Sequence, residues 1–304
     1  MSKIQDALRK LRSESMRSSA TQGVQKPPVA IATVVDSPGN DEQNGQYRSD
    51  MFVDIDFDRL REEGLLAPVD QQKLIADEYR LIKRPLLNNA SGRGADQLAD
   101  ANLIMVASPL PREGKTFNCL NLALSMATEK DKSVVLVDAD VAKPHISSLF
   151  GLEAEPGLID LLTDSSRDVK EFLLKTNVPG LFLLPAGRFD EHATELLASR
   201  RMAAVVDSLS KTFPDRIVIF DSPPLMVTSE ARVLASRMGQ IVLVVRSGVT
   251  PQKSVVASLD SLDQNKAISL VLNQASRGLG SETYGGYGYG YGGVGYRRQI
   301  VDEV

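Results

Sequence analysis

The sequence predicts a doubly wound α/β domain built on a mainly parallel sheet, and three observations carry that expectation. Short continuous apolar runs recur along the chain, at 103–107, 133–138, 181–184, 216–221, 240–245 and 268–273. Nothing alternates inside them, as expected of strands covered on both faces. Helical periodicity fills the gaps, notably at 191–210, 229–237 and 251–262, which places crossover helices between parallel strands. The third observation is the segment 103–123, LIMVASPLPREGKTFNCLNLA, which reads as strand, Pro-punctuated loop and helix.

That segment is a phosphate-binding loop. After the strand, Gly114-Lys115-Thr116 opens a helix whose apolar residues Phe117, Leu120, Ala123 and Leu124 fall at helical spacing. Backbone N–H groups at a helix N-terminus point at anionic oxygens, and Gly114 lets the main chain approach them. Lys115 suits the β- and γ-phosphates, and the Thr116 hydroxyl suits Mg²⁺. The first glycine of the general G-x-x-x-x-G-K-[ST] pattern is replaced by Pro109. Pro111, Arg112, Glu113, Gly114, Lys115, Thr116 and Phe117 are the candidate nucleotide-binding residues. Asn273, ending the last strand, is either a base contact or a turn residue.

Three carboxylates are expected beside this loop. Asp138 and Asp221 end two different apolar runs and Asp140 follows closely, and ligands of open α/β sheets gather at the C-terminal strand ends. A lone Asp after a strand is usually a turn former. Three of them with a Gly-Lys-Thr loop point instead to Mg²⁺ and proton chemistry in phosphoryl transfer. Lys115, Asp138, Asp140 and Asp221 are the catalytic candidates, and Thr116, Asp140 and Asp221 the metal candidates. An uncommitted carboxylate can accept a hydroxyl proton from the phosphoryl acceptor.

Composition sets the outer bounds. The 304 residues carry a formal net charge of −4 with both signs interspersed, which gives no sign of a nucleic-acid partner. The one cysteine, Cys119, excludes an internal disulfide framework and reads as a small buried residue. No apolar run approaches the roughly 18 residues of a membrane span, so a cytoplasmic protein is expected, reaching the inner membrane peripherally through a partner.

The flanks differ from this core. Residues 1–15 read as an amphipathic helix, with Ile4, Ala7, Leu8 and Leu11 on one face; it either packs on its own domain or docks on a membrane protein or an anionic lipid surface. Residues 16–70 read as a mostly disordered linker. Within it, MFVDIDFDRL alternates apolar and acidic residues and is open between a strand and an extended docking segment. The P-loop domain is expected over 71–276. Its first helix, up to a break at Pro85, carries a charged stripe at Asp77, Arg80 and Lys83. The tail, 277–304, is expected to be flexible: Tyr284, Tyr287, Tyr289, Tyr291 and Tyr296 are interleaved with glycine, which builds no core.

Taken in order, these motifs resemble the bacterial tyrosine kinases that control polysaccharide synthesis and export, over about residues 71–296. SPLPREGKT at 108–116 is similar to that family's Walker A, VVLVDADVAKP at 134–144 to its second acidic motif, and IVIFDSPP at 217–224 to its Walker B. The resemblance places the fold in the deviant-Walker, MinD-like branch of P-loop NTPases, although Leu110 stands where cell-division and partition ATPases carry a signature lysine. It implies ATP and Mg²⁺ as cofactors, Asp138 as base, and autophosphorylation of the five tail tyrosines. It also implies a homo-oligomeric ring built on the stripe at Asp77, Arg80 and Lys83, in which one tail enters a neighbour's site. A separate membrane chain-length regulator is expected as activator, and a phosphotyrosine phosphatase as antagonist. The rival reading is a P-loop ATPase or nucleotide-binding adaptor that positions a membrane partner without phosphorylating tyrosine.

Overall fold

In a computed structural model of the chain, residues 52–94, 98–212 and 216–275 are described, together with the backbone of 32–35. The expected N-terminal helix and the five tail tyrosines lie outside the described residues.

Among the described residues the sheet has nine strands: β1 Ala32–Val35, β2 Phe52–Ile55, β3 Leu103–Ala107, β4 Ser133–Asp138, β5 Leu174–Thr176, β6 Leu181–Leu184, β7 Arg216–Asp221, β8 Gln240–Arg246 and β9 Ala267–Asn273. Their spatial order is β1-β2-β5-β6-β4-β7-β3-β8-β9. The run from β6 to β9 is parallel throughout, and among the described residues antiparallel pairing is confined to β1 with β2 and β5 with β6. The loop-bearing strand β3 lies between β7 and β8, and β7 separates it from β4. The sheet therefore brings the C-terminal ends of β3, β7 and β4 side by side.

Both faces of the central strands β3, β4, β7 and β8 are buried, as their apolar runs predict, whereas β9, at the margin of the sheet, departs from that expectation and leaves Leu270 and Leu272 exposed. Successive side chains of a strand point to opposite faces, so Leu103, Met105, Ala107, Val135 and Val137 feed one core while Ile104, Val106, Val134 and Leu136 feed the other. The first core is roofed by α5 Leu158–Thr163, α6 Ala193–Ala198, α7 Arg200–Thr212 and α8 Ser229–Ser236. The second is roofed by α1 Phe57–Glu62, α2 Gln72–Ala90, α3 Lys115–Ala127 and α4 His145–Leu149. A last helix, α9 Gln252–Asp260, joins β8 to β9. No helix among the described residues is long and apolar enough to cross a membrane.

Three expectations are corrected here. The stretch read as linker up to residue 70 ends earlier, because Val53 and Ile55 on β2 and Leu60 on α1 are buried in the second core. The alternation in MFVDIDFDRL is that of a strand with one face on the second core and the other turned outward: Asp54 faces outward to Asn177, and Asp56 caps α1 by accepting from the Asp58 and Arg59 amides. Helix α2 runs through Pro85 to Ala90 rather than breaking. Pro85 sits on the exposed side, while Leu86 is buried and Asn89 and the Leu86 carbonyl both bond Gln240, so tertiary contacts hold the last turn. Finally, 191–210 is two helices, because extended Ser199 caps α7 by accepting from the Met202 amide.

Candidate active site

The loop between β3 and α3 owes its shape to two left-handed residues, Arg112 at φ 65° and Gly114 at φ 91°. Alternation of handedness turns successive amides to one side, the geometry of an anion nest. Gly114 is also the N-cap of α3, with no side chain to occupy the first-turn amides, so those donors are left for a ligand. Glycine is required for a second reason: a Cβ at 114 would come within 2.0 Å of Asn273 Nδ2.

Buried side chains hold this loop from behind. Glu113 is 3% exposed; one carboxylate oxygen accepts from the Leu110 amide and the other from Thr250 Oγ1. Asn273, at the end of β9, donates from Nδ2 to the Glu113 carbonyl at 2.9 Å. Asn118, in the first turn of α3, donates to the Gly114 carbonyl at 2.9 Å and accepts from Tyr79 Oη of α2 at 3.0 Å.

Lys115, Thr116 and Asp221 meet at the mouth of the loop. Lys115 Nζ lies 3.2 Å from Asp221 Oδ1 and 3.4 Å from Asp140 Oδ2, and Thr116 Oγ1 donates to Asp221 Oδ2 at 2.7 Å. Burial works against the Lys115 charge, but the two carboxylates outweigh it and raise its pKa. Burial raises Asp140, with the like charge of Asp221 adding to it and Lys115 opposing.

Asp138 stands apart from that cluster. It pairs with Asp221 in the β4–β7 register, so the two acids end neighbouring strands at one level. Its side chain is fully buried, and Oδ2 accepts from both the amide and the hydroxyl of Ser147 at 2.8 Å, while Oδ1 has no partner. Burial first, and then the charge of Asp221, push the Asp138 pKa up to about 7 against the two Ser147 bonds.

The other sequence candidates fall in different places. Pro111 and Arg112 are exposed on the crest of the loop, whereas Glu113 and Asn273 face inward as supports. Phe117 packs partly against the second core. Asp77 and Arg80 form an exposed pair one turn apart on α2. Lys83 is turned inward: 5% exposed, it bonds the Ser125 carbonyl and Thr128 and pairs with Glu129 at 2.8 Å. Sequence reasoning missed Ser147, Thr250, Tyr79 and Asn118. Thr250, beside Pro251 after a strand, carried a weak turn signal; Ser147 carried none.

The residues present suit a nucleotide with Mg²⁺. The donor set is hard oxygen, with the Thr116 hydroxyl and an Asp221 oxygen at one spot. Among the described residues no group of three or more His, Cys, Asp and Glu forms a dedicated metal cage. Mg²⁺ needs none when phosphate oxygens and water complete its shell.

No family model matches the chain. A putative tyrosine-protein kinase EpsB of Ralstonia solanacearum is 36% identical over 152 residues, 50% of this chain and 20% of the relative. Tyrosine-protein kinase YwqD of Bacillus subtilis is 28% identical over 229 residues, 75% of this chain and 92% of the relative. The solved kinase domain of VpsO superposes with a TM-score of 0.57 at 26% identity, covering 68% of this chain and 98% of that domain. The relatives are bacterial tyrosine kinases. The fold of this chain is the P-loop fold of their kinase domains, and it spans about a fifth of the length of the first curated relatives it matches.

Proposed function

We propose that this chain is an ATP-dependent tyrosine autokinase acting on its own C-terminal tyrosines. The observation that carries the reading is the convergence of Lys115 and Thr116 on Asp221, with Asp138 ending the adjacent strand and left with one free oxygen. The loop amides and Lys115 bind the β- and γ-phosphates of ATP. Thr116 and Asp221 hold Mg²⁺, with Asp140 beside them; bound there, the ion neutralises charge that develops on the transferring phosphoryl group. Asp138 takes the phenol proton of the acceptor. Its raised pKa suits that role, since a base works best when its pKa lies near the working pH.

Tyr284, Tyr287, Tyr289, Tyr291 and Tyr296 are the acceptors, offered in trans within a homo-oligomer. Asp77 and Arg80 are exposed and free to meet a neighbour, and Lys83 supports the same helix from inside. Each phosphotyrosine adds about −1.5 to −2 charges, which disfavours retention near Asp138, Asp140 and Asp221 and drives the ring apart. A separate membrane chain-length regulator activates the enzyme from the cytoplasmic side, a phosphatase resets it, and the output is control of exopolysaccharide export.

The test is intact mass and anti-phosphotyrosine detection on the full chain with ATP and Mg²⁺, alongside Lys115→Met and a chain truncated after Gly280. Mass gains in phosphate steps, lost in both variants, are expected. Continued ATP hydrolysis with no gain, even with the regulator's cytosolic segment added, would replace this reading with the ATPase one.

A further inference from the structure

Asp138 is held by a residue that no sequence motif marks. Ser147, in the first turn of α4, is 1% exposed and lies against the end of β6. Its Oγ accepts from the Ala186 amide at 2.9 Å, which leaves the hydroxyl hydrogen one direction to take, towards Asp138 Oδ2 at 2.8 Å. The Ser147 amide donates to the same oxygen. Oδ2 therefore carries both bonds, and Oδ1 carries none although it is equally buried. A carboxylate fixed by one oxygen cannot rotate without giving up both donors, and buried donors left unpaired are costly. A buried acceptor without a partner is rare enough to need an explanation.

We infer that Ser147 is a positioning residue, which locks Asp138 through Oδ2 so that Oδ1 is reserved for the acceptor proton. The inference rests on the autokinase reading and deepens it. As the phenol oxygen bonds to the γ-phosphorus and the bond from phosphorus to the β–γ bridging oxygen breaks, the phenol proton passes to Oδ1. The products are phosphotyrosine, ADP and a protonated Asp138 that later releases its proton to solvent. Without the Ser147 hydroxyl, one donor remains, the carboxylate samples other rotations, and both oxygens compete for the role.

The experiment compares full-length wild type, Ser147→Ala, Ser147→Thr and Asp138→Asn by rate of phosphate gain, KM for ATP, and affinity for a non-hydrolysable ATP analogue. Ser147→Ala is expected to lower kcat about tenfold while KM and analogue affinity stay within about twofold, because the loop that binds nucleotide is held by other residues. Ser147→Thr, which keeps the hydroxyl, is expected to restore most of the rate. Should the alanine variant not fold, Ser147→Cys, similar in shape with a weak donor, carries the same expectation. Wild-type kcat in Ser147→Ala alongside an inactive Asp138→Asn would overturn the positioning role and leave the kinase reading standing. So would a loss shared by kcat and analogue affinity that threonine does not rescue. An active Asp138→Asn would remove Asp138 as base and this inference with it.

Discussion

Tyr79 of α2 donates its phenol hydrogen to Oδ1 of Asn118, in the first turn of the helix that leaves the phosphate loop, at 3.0 Å. Asn118 in turn donates to the Gly114 carbonyl, so a helix bearing the exposed Asp77–Arg80 pair is linked to the loop by two hydrogen bonds. Burial pushes the Tyr79 phenol well up, so it remains a donor throughout the physiological range.

Tyr79→Phe keeps the ring and removes the donor, leaving a buried acceptor on Asn118 unpaired. A stability loss of about 1–2 kcal/mol is expected, with nucleotide affinity falling a few-fold as the loop loosens. Thermal melting and titration with an ATP analogue read the two effects separately. An unchanged affinity would mean that Asn118 holds Gly114 without help from α2.

The three charges of the α2 stripe separate on substitution. Asp77 and Arg80 are half-exposed, and truncating either is expected to change stability by less than about 0.5 kcal/mol while weakening self-association. Lys83→Met removes the donor to the Ser125 carbonyl and Thr128 and the partner of Glu129, with an expected loss of about 0.5–1.5 kcal/mol, or roughly 2–4 °C in Tm per kcal/mol for a domain of this size. Melting paired with sedimentation distinguishes the classes. A folded, fully stable Lys83→Met that no longer associates would reverse the assignment.

Gly114→Ala places a methyl group against Asn273 at a backbone angle that L-residues avoid. A cost of about 1–3 kcal/mol is expected for the left-handed conformation, together with loss of the Asn273–Glu113 bond and of nucleotide binding. Arg112→Gly should act the other way, gaining up to about 1 kcal/mol by relieving φ 65°. Chemical denaturation of both variants checks the signs.

Asp160 gives the fold an acid limit. It accepts from the Gly157 and Arg188 amides and pairs with the Arg188 guanidinium, and these together outweigh its partial burial and hold its pKa below the usual value of 3.8. A carboxyl depressed in the folded state stabilises above its unfolded pKa. That contribution is full above about pH 5 and is lost as pH falls through 3.8 and then through the lower folded value. Urea midpoints between pH 3 and 7 should therefore fall less steeply in Asp160→Asn than in wild type. Parallel curves would show that Asp160 is not the group responsible.

The central strands, the loop and the acids at Asp138 and Asp221 were legible because each is a local signal: a run without alternation, a turn, and a carboxylate at a strand end. Elements whose reason lies elsewhere were not. Strand β2 is fixed by pairing with β5, more than a hundred residues away, and by Asn177 reaching across to it. Helix α2 passes Pro85 because of Gln240, which is even more distant. At the site, residue types told which groups suit a phosphate but not which side chains face inward. Glu113 is buried and Asn273 half-buried, and both brace the loop through hydrogen bonds that no local pattern announced, while Ser147, ordinary in sequence, is set against Asp138 only by the return of α4 over β4.

Strand β9 lies at the margin of the sheet, bonded only to β8 among the described residues, and its last residue is the one that latches Glu113. Marginal strands are the first to peel away in sub-global opening, at a free energy below that of the whole fold. When β9 lifts, Asn273 leaves with it, and the loop is unlatched while both cores are still packed. Loss of grip on nucleotide should thus precede unfolding on any path that begins at this margin. The covalent tail starts just beyond Asn273, so tension applied to the tail is delivered first to that latch.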